Sequence, residues 1–247
     1  MLRELQRRKA ANGSFIDFIY NVNYNYVAKD FHKHLIGKLE SFLKDPDKKR
    51  MMVFMPPQHG KSEITSRLFP AFALGVNPDL KIVGASYSID LARSFNREIQ
   101  RYIDSDEYNE IFPRTRLNSK NVVTTQSWLR NSEEFEVVGK RGSYKAVGVM
   151  GGLSGRPADI AIIDDPVKDA IEAESLTFRN RVWDWYVNVL FVSLNDFSRF
   201  AGRNQPSHIF KGDHVSAHGF ELFGHIYKII DCKNVLRKRF PFQESFH

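Results

Sequence analysis

The stretch Met51–Glu63, MMVFMPPQHGKSE, constrains the fold of this chain more than any other. Five apolar residues, Met51 to Met55, stop at Pro56-Pro57, and Gln58-His59-Gly60-Lys61-Ser62 follows at once. A short apolar run closed by breakers reads as a buried strand. The periodic segment Ile64–Leu74 reads as a helix that begins near Lys61. Strand, tight loop, Gly-Lys-Ser and helix N-terminus together describe a phosphate-binding loop. Loop and helix N–H groups point at the anion, and the helix dipole favours it. Lys61 would reach the outer phosphates, the Ser62 hydroxyl would sit on Mg2+, and Gly60 would let the backbone approach without a Cβ in the way. The common pattern GxxxxGK[ST] asks for glycine where Met55 stands, so the loop is a deviant one. The plain alternative is a helix N-terminus that happens to carry a lysine.

A second motif lies about a hundred residues on: Asp159–Pro166, DIAIIDDP. Ile160 to Ile163 read as another strand buried on both faces, which in a parallel sheet is a continuous apolar run. It ends in Asp164 and Asp165, and ligands of open α/β sheets bind at the C-terminal ends of strands. Asp164 would hold Mg2+ through water, and Asp165 would orient or deprotonate an attacking water. Taken alone, the pair also fits a solvated turn capping the helix that follows from Glu172. With a Gly-Lys-Ser loop in the same domain, the nucleotide reading is favoured.

Length and charge bound the rest. A chain of 247 residues is one domain of ordinary to large size, or one domain plus a fragment. The net charge of +7 makes an acidic partner, nucleic acid first, the natural expectation, although basic surfaces also serve solubility. Cys232 is the single cysteine, so an intrachain disulfide is excluded. The start, MLRELQRRKA, is charged and unlike a secretory signal, and no apolar run is long enough to span a membrane.

In chain order, residues 1–11 read as a basic helix, broken at Asn12-Gly13-Ser14 with Ser14 as the next N-cap. The Tyr- and Phe-rich segment 14–27 reads as aromatic packing against the sheet, with an aromatic against an adenine base as the minority reading. Asp30–Lys44 carries Phe31, Leu35, Leu39, Phe42 and Leu43 at helical spacing; His32 and His34 flank that stripe as surface or packing residues. Lys81–Ser86 reads as a strand and Ser88–Ile103 as a helix, whose Arg93, Arg97 and Arg101 form either a DNA-facing stripe or a solvated face partnered by Glu98 and Asp104. Residues 104–120 read as a polar connection. Asn121–Thr125, Glu134–Gly139 and Tyr144–Val149 read as strands, the last two joined by a hairpin turn at Lys140–Ser143. The Gly-rich segment 150–159 leads to the second motif, and Glu172–Leu190 reads as a helix whose Trp183, Trp185 and Tyr186 pack. Arg141 and Arg156 are both candidates for an arginine finger, and the sequence does not choose between them.

The ordered set ALGVNPD, ASYS, IFP, GVMGGLSG, IIDDPVKD and VWDWY, with PPQHGKSE ahead of it, resembles the large terminase subunit of tailed bacteriophages and prophages, in its N-terminal ATPase domain. The resemblance covers about residues 15–195, and the family shares the deviant loop. It implies an α/β, P-loop NTPase fold: a mainly parallel central sheet with helices on both faces, the loop strand and the Asp164 strand near its middle, and an antiparallel addition from residues 121–149. It implies ATP and Mg2+ as cofactors. Pro57, Gln58, His59, Gly60, Lys61 and Ser62 would bind the nucleotide; Ser62 and Asp164 would serve the metal; Lys61 and Asp165 would be catalytic, Asp165 standing where the family often has Glu. It implies a motor in the host bacterial cytoplasm, a ring homo-oligomer on the prohead that drives double-stranded DNA inward. Its partners would be the DNA backbone, the portal protein and a small terminase subunit.

The expected organisation is an N-terminal helical region at 1–50, an ATPase core at 51–195 and a divergent tail at 196–247. The tail stands where the family has a Thr-Arg-Trp coupling motif and a nuclease domain. It shows neither, is expected to be poorly packed or loosely helical, and has Asp213, His214 and His218 as incidental residues. A truncated prophage product that binds nucleotide or DNA without coupled turnover is the second reading, and a helicase-like P-loop ATPase the third.

Overall fold

The computed structural model describes residues 10–44, 50–118, 127–153 and 156–194, and the backbone of 228–232. The described strands are β1 (Arg50–Val53), β2 (Lys81–Ser86), β3 (Glu134–Glu136), β4 (Ser143–Gly148), β5 (Ile160–Asp164) and β6 (Lys228–Cys232). They form one sheet in the order β1-β6-β5-β2-β4-β3. β2 is parallel to both β4 and β5; β6 is antiparallel to both β1 and β5, so β1 runs with β5; β3 is antiparallel to β4. Four strands therefore share one direction and β3 and β6 oppose them. The expected α/β architecture stands, as a mixed sheet whose majority is co-directional.

Two placements differ from expectation. β5 is central, but β1 is the edge strand of the described sheet rather than a middle one. Its exposure follows: Val53 is buried, whereas Met52 and Phe54 are 50% and 53% exposed. An apolar run bounded by breakers does not distinguish an edge from a centre, because hydrophobicity reports neither pairing partner. The strand beside it, β6, comes from the tail, where loose packing was expected. Ile229 and Ile230 are β-branched residues at home in a strand.

The alternation along the inner strands divides two cores. Ile82, Tyr144, Ala146, Ile160 and Ile162 face one layer of helices. Val83, Ala85, Val147, Ala161 and Ile163 face the other. This is why β2 and β5 are apolar at nearly every position. Gly84 is required by the first core: a Cβ there would lie 1.8 Å from the Tyr144 hydroxyl.

The first layer holds α1 (Phe15–Val22), α2 (Asp30–Lys44), α3 (Phe69–Val76), α4 (Ile89–Asp104) and α5 (Asp106–Ile111). Ser14 caps α1, its Oγ accepting from the Asp17 amide at 3.4 Å. Phe15 stacks on Phe72 at 5.0 Å, Phe18 packs tilted against Phe72 at 5.4 Å, and Phe18 meets Phe112 at 5.7 Å. The aromatic segment thus packs, as expected, but on the helices covering the sheet. α2 has the bounds its periodicity gave, with Leu35, Ile36, Leu39 and Phe42 buried. α4 is capped by Ser88 and α5 by Ser105, so part of the expected polar connection is helical. The hairpin joins β3 and β4 with Glu136 opposite Ser143. The strand expected at Asn121–Thr125 and the basic helix start at 1–9 lie outside the described residues, as do Asp213, His214 and His218.

The second layer is α6 (Ala170–Glu174), α7 (Leu176–Trp185), a π-helical turn at Tyr186–Phe191 and α8 (Val192–Leu194). The single helix expected from Glu172 is divided at Ser175, which caps α7 by accepting from the Phe178 amide at 3.3 Å. Val182, Trp185, Tyr186 and Leu190 fill the second core. Among the described residues no helix is long and apolar enough to cross a membrane.

Candidate functional site

The C-terminal ends of β2, β4 and β5 are level: Ser86 is in register with both Gly148 and Asp164. β1 runs the same way, so the loop that leaves it emerges at the same edge. The loop turns through two left-handed residues, Gln58 at φ 62° and Gly60 at φ 75°. The helix then starts at Lys61 and continues as a π-helical turn over Glu63–Leu68 into α3. The widening has a local cause. Pro70 carries no N–H for the carbonyl four residues back, and the Phe69 amide reaches Ile64 oxygen, five residues back. The Thr65 hydroxyl adds a bond to the Lys61 carbonyl at 2.8 Å.

Loop and second motif meet across the sheet edge. Lys61 Nζ donates to Asp165 Oδ1 at 2.9 Å, joining residues 104 apart in sequence. The Lys61 side chain is 7% exposed and that of Asp165 34%. Asp165 itself is left-handed, at φ 48°, a conformation Asp tolerates better than most residues. Its carbonyl accepts from the Tyr87 amide at 3.0 Å, which ties the end of β5 to the end of β2. Asp164 is buried, 1% exposed, and its Oδ2 accepts from the Ser66 hydroxyl at 2.8 Å. The Tyr144 phenol below is pushed well above its ordinary pKa, first by burial and then by the charge of Asp164.

The structure therefore brings Gly60, Lys61 and Asp165 together with Asp164, and places Ser62, half-buried, on the first helical turn. The hydroxyl that reaches Asp164 belongs to Ser66, which the sequence reading passed over. Ser66 lies four residues after Ser62 on the same helix stripe, but it sits between Thr65 and Arg67, and only its partner 98 residues away sets it apart. His59 turns its Nδ1 to the Pro57 carbonyl at 2.7 Å, so that nitrogen is the donor. Glu63, next to Ser62, accepts from the Tyr102 hydroxyl at 2.5 Å and from Arg67 Nη1 at 2.9 Å. Arg67 also pairs with Glu98 and lies over the Phe95 ring. This fastens the loop helix to α4. The buried Tyr26 phenol near Glu63 is pushed up to about 12, by burial first and then by Glu63 and Tyr20.

Neither arginine candidate stands at this edge. Arg141 donates its amide to Asp79 at 2.9 Å, next to the N-terminal ends of β2 and β4, on the opposite side of the sheet. Arg156 is paired with Glu134 on β3, the far edge strand. On α4, Arg93 pairs with Asp90 and Glu133, while Arg97 and Arg101 are exposed. The expected local partners are taken elsewhere, Glu98 by Arg67 and Asp104 by Arg130. The Gly-rich segment after β4 is pinned by Trp185, whose Nε1 donates to the Gly151 carbonyl at 2.7 Å.

The edge thus offers a buried ammonium, a helix N-terminus, hydroxyls and two carboxylates. Among the described residues no group of three or more His, Cys, Asp or Glu side chains could cage a metal ion. A divalent cation at Asp164 would take most of its oxygens from water and from a bound anion, which is how Mg2+ binds beside phosphates.

A family model for the N-terminal part of the terminase large subunit, T4likevirus-type, matches residues 52–202, more than half of the chain. No curated protein matches it at a significant level.

Proposed function

Because the chain belongs to the phage terminase large-subunit family, in its N-terminal domain, we propose that it is a P-loop ATPase that hydrolyses ATP to drive double-stranded DNA into a prohead. The observation that carries the reading is the 2.9 Å pair of Lys61 and Asp165, which unites the loop and the second motif at one sheet edge. A triphosphate offered to the loop competes with Asp165 for the Lys61 ammonium. When Lys61 turns to the phosphates, the Asp165 carboxylate is released to accept a proton from, or orient, the attacking water. Gln58, His59, Gly60 and the first helical amides face the phosphate oxygens, with Pro57 setting the entry of the loop. Mg2+ held near Ser62 and Asp164 would neutralise charge developing on those oxygens. The Ser66 bond keeps the Asp164 carboxylate in one orientation for that task.

Contact with DNA would be to backbone phosphates, as a packaging motor must ignore sequence, and would weaken steeply with salt. The portal protein, a small terminase subunit, a ring of copies and the host bacterial cytoplasm belong to the same reading.

A second reading, nucleotide binding without turnover, has its own observation. Asp165 is a short side chain already committed to Lys61, and a pair that does not open would leave no base for water.

The test is Mg2+-dependent ATP turnover by the purified chain, with and without double-stranded DNA, beside Lys61→Ala and Asp165→Asn. Turnover abolished in both variants supports the ATPase. Binding that needs Lys61, without turnover in the unaltered chain, supports the second reading. Equal turnover in all three proteins would sink both.

A further inference from the structure

His32 of α2 lies over the loop. Its Nδ1 accepts from the Lys29 amide at 3.2 Å, and its Nε2 stands 3.0 Å from the His59 carbonyl oxygen. A backbone amide can only donate and a carbonyl can only accept, so the two contacts select one neutral tautomer: Nδ1 bare, Nε2 carrying the proton. The ring is held on its sides by Phe31 at 4.1 Å and Tyr26 at 5.8 Å. It also fits Gly60 closely, since a Cβ on Gly60 would stand 3.4 Å from Nε2.

The bonded carbonyl lies between the two left-handed residues of the loop, Gln58 and Gly60. That is where the backbone must turn for its amides to face an anion. A donor fixed at His59 holds the carbonyl toward His32, and the amide of the same peptide plane, that of Gly60, points the opposite way. From this geometry we infer that His32 is a positioning residue that holds the phosphate loop in its anion-receiving conformation before any ligand arrives. The inference rests on the proposed nucleotide reading for its consequence in ATP binding, but the latch exists without nucleotide.

The experiment compares His32→Phe, which keeps the ring and loses the donor, with His32→Gln, whose amide nitrogen replaces the Nε2 donor. Hydrogen exchange at Gln58–Gly60 is followed in the ligand-free chain, and kcat and KM for ATP are measured with Mg2+. The expected result for His32→Phe is exchange about fivefold faster in the loop, the weight of one ordinary hydrogen bond. KM should rise by a similar factor with kcat held, because a preformed loop binds ground and transition states alike. His32→Gln should restore both. Exchange that is unchanged in His32→Phe, or raised equally in the two variants, overturns the inference. Should phenylalanine disturb the packing, His32→Asn, whose amide falls short of the carbonyl, supplies the same comparison. If exchange follows the expected pattern while ATP binding is absent even in the unaltered chain, the latch stands and the nucleotide reading fails.

Discussion

Ser66 donates its hydroxyl to Asp164 at 2.8 Å across 98 residues of sequence. Both groups are buried, at 2% and 1% exposure, so the bond fixes a carboxylate that water hardly reaches. Ser66→Ala should cost about 2 kcal/mol, the range for a hydrogen bond to a buried charge. Ser62→Ala, on a half-buried hydroxyl, should cost well under half of that. Urea denaturation of the two variants measures the difference, and equal midpoints would mean that the Ser66 contact adds nothing to stability.

Gly84 tests the packing beneath the site. A Cβ placed 1.8 Å from the Tyr144 hydroxyl must displace a buried ring. Gly84→Ala should therefore destabilise by about 3 kcal/mol, at the upper end of overpacking costs. Adding Tyr144→Phe removes the closest atom and should recover part of the loss, so the two changes should be non-additive in thermal unfolding. Strict additivity would show that the close approach relaxes elsewhere.

The tyrosines set the alkaline limit. Burial raises the phenols of Tyr26, Tyr102, Tyr108 and Tyr144 above the ordinary value, with Glu63 adding to the effect at Tyr26 and Tyr102 and Asp164 at Tyr144. A raised folded-state pKa means that the folded chain holds its protons longer than the unfolded one. The stabilising contribution is complete below about pH 10 and is lost as pH climbs through the folded values. Of the nine tyrosines, these four should ionise late and together with unfolding. Near-ultraviolet tyrosinate absorbance followed beside circular dichroism checks this; a smooth titration of all nine before any loss of structure would contradict it.

Arg141 should be dispensable to the site of its own subunit. It lies at the sheet edge opposite Asp164, and its side chain is 85% exposed. Arg141→Ala should leave ATP turnover unchanged in dilute solution, where copies are apart. A loss of rate appearing only as protein concentration rises would instead assign Arg141 to a neighbour's site, and a loss at every concentration would contradict its placement.

Much of this was legible in the sequence because the relevant forces are local or periodic. The Gly-Lys-Ser turn, the apolar runs of β2 and β5, the α2 stripe and the Ser14 cap each report their own neighbourhood. Edge position was not legible, since Met51 to Met55 read the same whether or not a strand lies on each side. Ser66 and His32 escaped for a related reason. A serine within a helix and a histidine beside an apolar stripe acquire meaning only through partners 98 and 27 residues away. The pairing of Arg156 with Glu134 is likewise a tertiary event with no sequence periodicity behind it.

β6 separates the two strands that carry the site, pairing with β1 on one side and β5 on the other. The gap between loop and carboxylates is thus spanned by a segment made last among the described elements. On a ribosome the loop of Gln58–Lys61 and Asp164 emerge earlier, yet the strand that sets their spacing within this sheet arrives only with Lys228–Cys232. Site formation is therefore coupled to the appearance of Lys228–Cys232, and a nascent chain that has displayed both motifs still lacks the ruler that sets their spacing.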